Sequence, residues 1–188
     1  MAWRSHGTSN AELVNNMRRN GIISDPRVVD ALLAVDRANF CKHDPYYDAP
    51  QSIGYAVSIS APHMHGHALQ HLRHQLREGA TALDVGSGSG YLTACMAVMV
   101  GEEGRVIGVE HIPELVDLSK RNIAKGNADL LKSKRLRILG KSGPAAMFRL
   151  SERDVIWMQL RMVGWGIRRR RRMMPFTSEL LVANFLNK

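Results

Sequence analysis

Apolar and polar positions along the chain fall into two kinds of segment, punctuated by glycine and proline. Over residues 9–20, Leu13 and Met17 are four apart, Ser9 precedes Glu12 by three, and Gly21 follows. That spacing predicts a helix opened by a capping box and closed by glycine. A second helix is predicted from Asp25-Pro26 through Ala34, with Val28, Leu32 and Leu33 as its apolar set. Pro45, Pro50 and Gly54 make residues 40–54 a loop, and 64–78 read as a helix ending near Gly79. The pattern then changes. Thr81–Val85 is a short apolar strand, broken by Gly86-Ser-Gly88-Ser-Gly90, and Tyr91–Val100 resumes as an almost wholly apolar helix. Gly101–Gly104 is a turn, Arg105–Glu110 a second strand, Pro113 to about Lys125 a helix, and Arg135–Leu139 an alternating third strand. Strand, helix, strand, helix, strand predicts an α/β fold with a Rossmann-like, doubly wound parallel sheet behind an N-terminal helical segment.

The glycine loop carries the chemistry. Glycines at 86, 88 and 90 permit positive-φ turns and let a ligand approach the backbone. The loop opens onto a helix N-terminus, whose amides favour an electron-rich group. Glu110 ends the next strand, twenty residues after Gly90, where a carboxylate accepts from two ribose hydroxyls. Alone, such a loop can also be a turn that packs helix on strand; the acid at that strand end favours the ligand. The spacing is not G-x-G-x-x-G and there is no Gly-Lys-Thr, which argues against a dinucleotide enzyme or an NTPase.

Asp84-x-Gly86-x-Gly88-x-Gly90 with an acidic second-strand end resembles the S-adenosylmethionine site of class I methyltransferases. Further motifs resemble the protein-L-isoaspartate (D-aspartate) O-methyltransferase family. They are Asn20-Gly-Ile-Ile23, Asp36-Arg37, Pro45-Tyr46, Pro50-Gln-Ser-Ile-Gly54, Ile59-Ser-Ala-Pro-His-Met-His65, Glu78-Gly-Ala80 and Ala82–Gly90. This resemblance runs from Met1 to Gly140. It implies a segment 1–80 that is helical and carries the active site, and a cofactor-binding half of the sheet domain over 81–140. Ser60 is then the active-site residue, holding a substrate carboxylate by hydrogen bond without acting as a nucleophile. Ser58, Ile59, Ser60 and His65 enclose the cofactor; Asp84, Gly86, Ser87, Gly88, Ser89 and Gly90 form its cradle. Glu110 holds its ribose, beside His111 and Leu115. The implied substrates are isoaspartyl-containing proteins and peptides, and the implied setting is a cytoplasmic monomer.

Other residues add little. His63, His67 and His71 lie at i, i+4 and i+8, yet no Cys or carboxylate stands at ligand spacing, so no metal site is predicted. Cys95, Met96 and Met99 read as core. Two cysteines, Cys41 and Cys95, make no disulfide framework and fit a reducing compartment. No apolar window is long enough to cross a membrane, and the N-terminus has no signal-peptide pattern.

The net charge of +9 prompts a nucleic-acid hypothesis until it is located. Residues 1–140 hold 16 basic and 14 acidic groups, whereas residues 141–188 hold 10 and 3, with five arginines at 168–172. Such a block is usually a solvated segment, and it lacks interleaved aromatics for base stacking, so no nucleic-acid partner is predicted. The tail 141–188 also departs from the family and is expected to be poorly ordered. Codons chosen for Trp165–Leu181 and read one nucleotide earlier spell M-G-Y-P-E-E-A-P-Y-D-A-I-H-V-G-A-A, which resembles the family's next segment. The tail is therefore read as out of frame, with residues 141–160 as intervening sequence. The sheet is then incomplete, with its later strands missing, and activity is expected to be weak or absent. The alternative is a non-catalytic chain that still binds cofactor or peptide.

Overall fold

The N-terminal segment builds helices where its caps allow. In α1 (Asn10–Arg19) the Ser9 side chain accepts the Glu12 amide at 3.2 Å, burying Leu13, Val14 and Met17. The reciprocal half of the expected capping box is displaced by one residue. Glu12 accepts from the Thr8 amide and hydroxyl, both at 2.7 Å. In α2 (Pro26–Ala34) Asp25 caps the Arg27 amide at 2.9 Å, and Pro26 takes the first turn, where its missing N–H costs nothing. Leu33, counted above with the apolar set, lies past the edge of the buried face and is exposed. A 3₁₀ turn, Arg37–Asn39, follows, with the Asp36 side chain accepting from Ala38 N.

This structure, a computed structural model, describes residues 5–140 and the strand 155–159. The segment expected to be loop contains half of a hairpin. Strand β1 (Gln51–Gly54) pairs antiparallel with β2 (Val57–Ile59) across Tyr55-Ala56. Both turn residues have positive φ, 54° and 55°, the requirement of a type I′ turn met without its usual Asn-Gly. Helix α3 (Pro62–Leu72) starts earlier than predicted, because Pro62 can serve in its first turn, and stops well before residue 78. Beyond it the Gln75 and Leu76 amides both return to the Leu72 carbonyl, and Leu76 stays in the core.

The alternating half follows the predicted order. The elements are β3 (Thr81–Val85), α4 (Tyr91–Met99), β4 (Arg105–Glu110), α5 (Pro113–Gly126), α6 (Ala128–Lys132) and β5 (Leu136–Gly140). The sheet is parallel, in the order β5-β4-β3-β6, with β6 (Val155–Gln159) beside β3. That fourth strand comes from the stretch read as intervening sequence: Leu83 pairs with Ile107 on one side and with Trp157 on the other, and among the described residues no later strand follows. Val155-Ile-Trp-Met158 is rich in strand formers, a signal passed over because residues 141–160 read as intervening sequence. The other readings of the tail, including Arg168–Arg172 and the shifted frame, lie outside the described residues.

One buried cluster joins the halves, running from Leu13, Leu32 and Leu69 into Met96 and Ile138. Helix α4 is buried on nearly every side, which is why its sequence is apolar without periodicity. Among the described residues no helix is long and apolar enough to cross a membrane.

Candidate functional site

The C-terminal ends of β3 and β4 open into a cleft of about 520 Å³, closed on its far side by the hairpin and the start of α3. Ligands of open α/β sheets bind at this end of the strands. Its floor is the glycine loop. Gly86 and Ser87 donate their amides to the Val109 carbonyl at 2.8 and 3.2 Å, tying the loop to β4. Asn122 of α5 donates to the Ser89 carbonyl at 3.2 Å. Gly108 makes this approach possible, since a Cβ there would lie 2.9 Å from that of Ser87 and 2.7 Å from Ile138. Gly86 has φ +85° and open space where a Cβ would stand, so the backbone there is bare toward a ligand.

Two buried carboxylates bracket the loop. Asp84, at the end of β3, accepts the Thr93 hydroxyl of α4, and burial pushes its pKa up to about 6 against the restraint of that bond. Glu110 accepts the amides of Gly88 at 2.9 Å, His111 at 2.7 Å and Ile112 at 3.1 Å. The ring of His111 lies 2.9 Å from the same carboxylate and is otherwise exposed.

The opposite wall comes from the N-terminal segment. Ser58, Ile59 and Ser60 follow the hairpin turn along the cleft, and His65 reaches it from α3. Ser60 and His65 are both buried, and burial together with the nearby Arg37 guanidinium holds the His65 ring well below its usual pKa. The expected residues thus converge on one cleft, with two exceptions. Leu115 is wholly buried within α5 and does not reach the cleft surface. Gly90 caps α4 at φ +85° and faces Ser119 and Ile123, a packing position. Sequence reasoning passed over Ala56, Val57 and Leu92, which also line the cleft, and gave no role to Arg37, which lies behind it.

The His63 ring goes to Asp48, 2.7 Å away, while His67 and His71 stand edge-on with centroids 6.4 Å apart. No group of three potential metal ligands converges among the described residues.

The residues present fit a nucleoside-bearing cationic cofactor. Glu110 is a buried acceptor at the strand end, Asp84 a second carboxylate, and the Ser87 hydroxyl is buried without a partner among the described residues. Comparison with known proteins agrees. Residues 8–145 match the family model described as protein-L-isoaspartate(D-aspartate) O-methyltransferase (PCMT). A Caenorhabditis elegans protein-L-isoaspartate O-methyltransferase is 52% identical over 143 residues, covering 76% of this chain and 64% of that protein. Protein-L-isoaspartate O-methyltransferase 1 of Arabidopsis thaliana is 56% identical over 116 residues, 61% of this chain and 50% of that one. The chain thus spans less than two thirds of the length of these curated relatives. A Plasmodium falciparum protein-L-isoaspartate O-methyltransferase, crystallised with S-adenosyl-L-homocysteine, superposes with a TM-score of 0.72 at 36% identity. That superposition covers 81% of this chain and 73% of the other.

Proposed function

The chain belongs to the protein-L-isoaspartate(D-aspartate) O-methyltransferase family, and from that premise we propose that its cleft binds S-adenosylmethionine and directs methyl transfer to the free α-carboxylate of isoaspartyl and D-aspartyl residues, a protein-repair reaction. One observation carries the reading. Asp84 and Glu110 flank a bare glycine loop, and Ser60 faces that loop across the same cleft.

When bound, the cofactor supplies a methyl group on a sulfonium centre. The residues of this chain supply placement. Glu110 accepts from the ribose hydroxyls, and Asp84 with the bare backbone of Gly86 and Gly88 lines the methionine end. Ser60 donates its hydroxyl to one oxygen of the acceptor carboxylate, leaving the other for attack in line with the methyl–sulfur bond. A carboxylate with an ordinary pKa of about 4 is already ionised at neutral pH, so no general base is required. Alignment and exclusion of water remain, and both fall to the walls formed by β2 and α3.

Turnover by this chain is weak or absent, because the family match ends at residue 145, before most of the tail. That same observation favours the second reading, a chain that holds cofactor or peptide without transferring the methyl. We place the protein in the cytoplasm as a monomer, with isoaspartyl proteins and peptides as partners and neither nucleic acid nor membrane. Titration with S-adenosyl-L-homocysteine tests the cleft. Transfer of labelled methyl to an isoaspartyl peptide, against its aspartyl isomer, tests the reaction. Both are run beside a version whose residues 161–181 are set back one nucleotide. Binding by both proteins, with transfer confined to the reset version, is the expected result. Inactivity of the reset version toward the isoaspartyl peptide would sink the assignment.

A further inference from the structure

Beneath the cleft lies a guanidinium in an unusual position. Arg37, in the 3₁₀ turn, is fully buried, and among the described residues no carboxylate is one of its hydrogen-bond partners. Its Nη2 donates to the Ser60 carbonyl at 2.7 Å, and its Nη1 lies 3.2 Å from Nδ1 of His65. Its carbon lies 5.2 Å from the centroid of the Tyr91 ring, and Tyr91 is the first residue of α4 after the glycine loop. The His65 ring packs on the same tyrosine with centroids 5.0 Å apart. The backbone of the turn is held in its own right, the Arg37 amide donating to Asn10 Oδ1 at 3.4 Å. Arg37 Nε is buried and has no partner among the described residues.

A guanidinium can only donate hydrogen bonds. The nitrogen of His65 that faces it must therefore be the acceptor, and the ring's single proton sits on Nε2. We propose that Arg37 is the positioning residue of the transfer site: it pins the carbonyl of Ser60 and fixes His65 as the neutral Nε2–H tautomer, so that a hydrogen-bond donor stands on the cleft wall beside the Ser60 hydroxyl. An imidazole bearing its proton on Nδ1 would lose the bond to Arg37 and turn an acceptor toward an anionic substrate. Protonation of the ring is opposed first by its burial and then by two neighbouring groups. Arg37 approaches from the 3₁₀ turn and His63 from the first turn of α3, both disfavouring a further positive charge, while Tyr91 of α4 supplies burial. One cation thus orders the substrate wall and touches the first residue of the helix that follows the cofactor loop. The benefit to methyl transfer rests on the function proposed above; the tautomer does not.

The test separates the two. Long-range ¹H–¹⁵N spectra of the full chain should show His65 as the neutral Nε2–H tautomer throughout about pH 5 to 8. Arg37→Met should mix the tautomers and raise the His65 pKa, whereas Arg37→Lys, which keeps the charge, should keep it low. In the protein with the reset reading frame, Arg37→Met should lower kcat for an isoaspartyl peptide by about tenfold or more. A wild-type His65 that carries its proton on Nδ1, or titrates within that range, overturns the proposal even if Arg37→Met fails to fold. An unchanged tautomer in Arg37→Met does the same. Absence of S-adenosyl-L-homocysteine binding with the tautomer as expected would instead count against the proposed function alone.

Discussion

Glu110 Oε2 accepts the Gly88 amide at 2.9 Å, joining the end of one strand to the loop that leaves its neighbour. The other oxygen takes the amides of His111 and Ile112. This carboxylate therefore shapes the cleft, and in the proposed reading it also accepts from a ribose. Glu110→Gln keeps the size but turns an N–H toward amides that need an acceptor. Hydrogen bonds to charged groups contribute about 1.5–3 kcal/mol each. Calorimetry should show S-adenosyl-L-homocysteine bound roughly 10- to 100-fold more weakly by this variant; equal affinity would remove Glu110 from the ribose site.

Asp84 makes stability depend on pH. Its folded pKa is raised to about 6 from a reference of 3.8, chiefly by burial, so the folded state holds the proton more tightly than the unfolded chain. The stabilisation is complete below about pH 4 and is lost as pH rises to about 6. Its size is on the order of 3 kcal/mol. Asp84→Asn removes the term, so its stability relative to wild type should increase from pH 4 to pH 6 and then level off. Urea titrations across that range measure it. In the proposed reading the cofactor's ammonium group pairs with ionised Asp84, so wild-type binding should weaken below about pH 6 and the Asn variant should lose that dependence.

Two glycines of the loop should respond differently to an added methyl. At Gly90 a Cβ would meet Ser119 at 3.0 Å and Ile123 at 3.2 Å, with φ at +85°. Gly90→Ala should cost about 2–4 kcal/mol, combining the left-handed backbone with overpacking, as read from the urea midpoint. At Gly86 there is open space, so Gly86→Ala should cost only about 1–2 kcal/mol of backbone strain while its methyl obstructs the cofactor. The ratio of lost affinity to lost stability should be larger for Gly86.

The parallel sheet was legible because its strands are short apolar runs set off by glycine, and its helices start at Pro113 or after the glycine loop. Asp84, the loop and Glu110 were legible for the same reason: all sit at strand ends fixed by that grammar. Arg37 was not. Asp36-Arg37 stood out only as a family motif without a role, and only the fold carries the arginine under Ser60 and Tyr91. Strand β6 was hidden because its apolar run is short and falls within residues 141–160, read as intervening sequence. Leu115 was assigned to the cofactor by resemblance and Gly90 by the loop's glycine pattern, whereas Leu115 is buried within α5 and Gly90 packs against Ser119 and Ile123 of that helix.

Cys95 supplies a chemical probe of the core. It is fully buried in α4, and burial pushes its thiol up to about 12, while Cys41 is buried and donates to the His43 carbonyl at 3.0 Å. A thiol reacts as the thiolate and only when reached by reagent. Neither should be alkylated by iodoacetamide in the folded protein, and both should react as urea unfolds it. Rapid labelling of Cys95 under native conditions would mean that α4 opens independently of the sheet.

The hairpin at the cleft mouth holds strain that substitution should release. Tyr55 and Ala56 both occupy the left-handed region, where a side chain other than glycine or asparagine costs roughly 1–2 kcal/mol per residue. A two-residue type I′ turn favours Asn followed by Gly. Combining Tyr55→Asn with Ala56→Gly relieves both positions, and the flexibility that glycine adds to the unfolded chain offsets part of the gain. Tyr55 is largely exposed, so little apolar burial is lost with it. The double variant should be more stable by about 1 kcal/mol, seen as a higher urea midpoint with an unchanged slope. A lower midpoint would show that the Tyr55 ring packs in a way that outweighs the backbone, and that the positive φ values are set by the hairpin and not resisted by it.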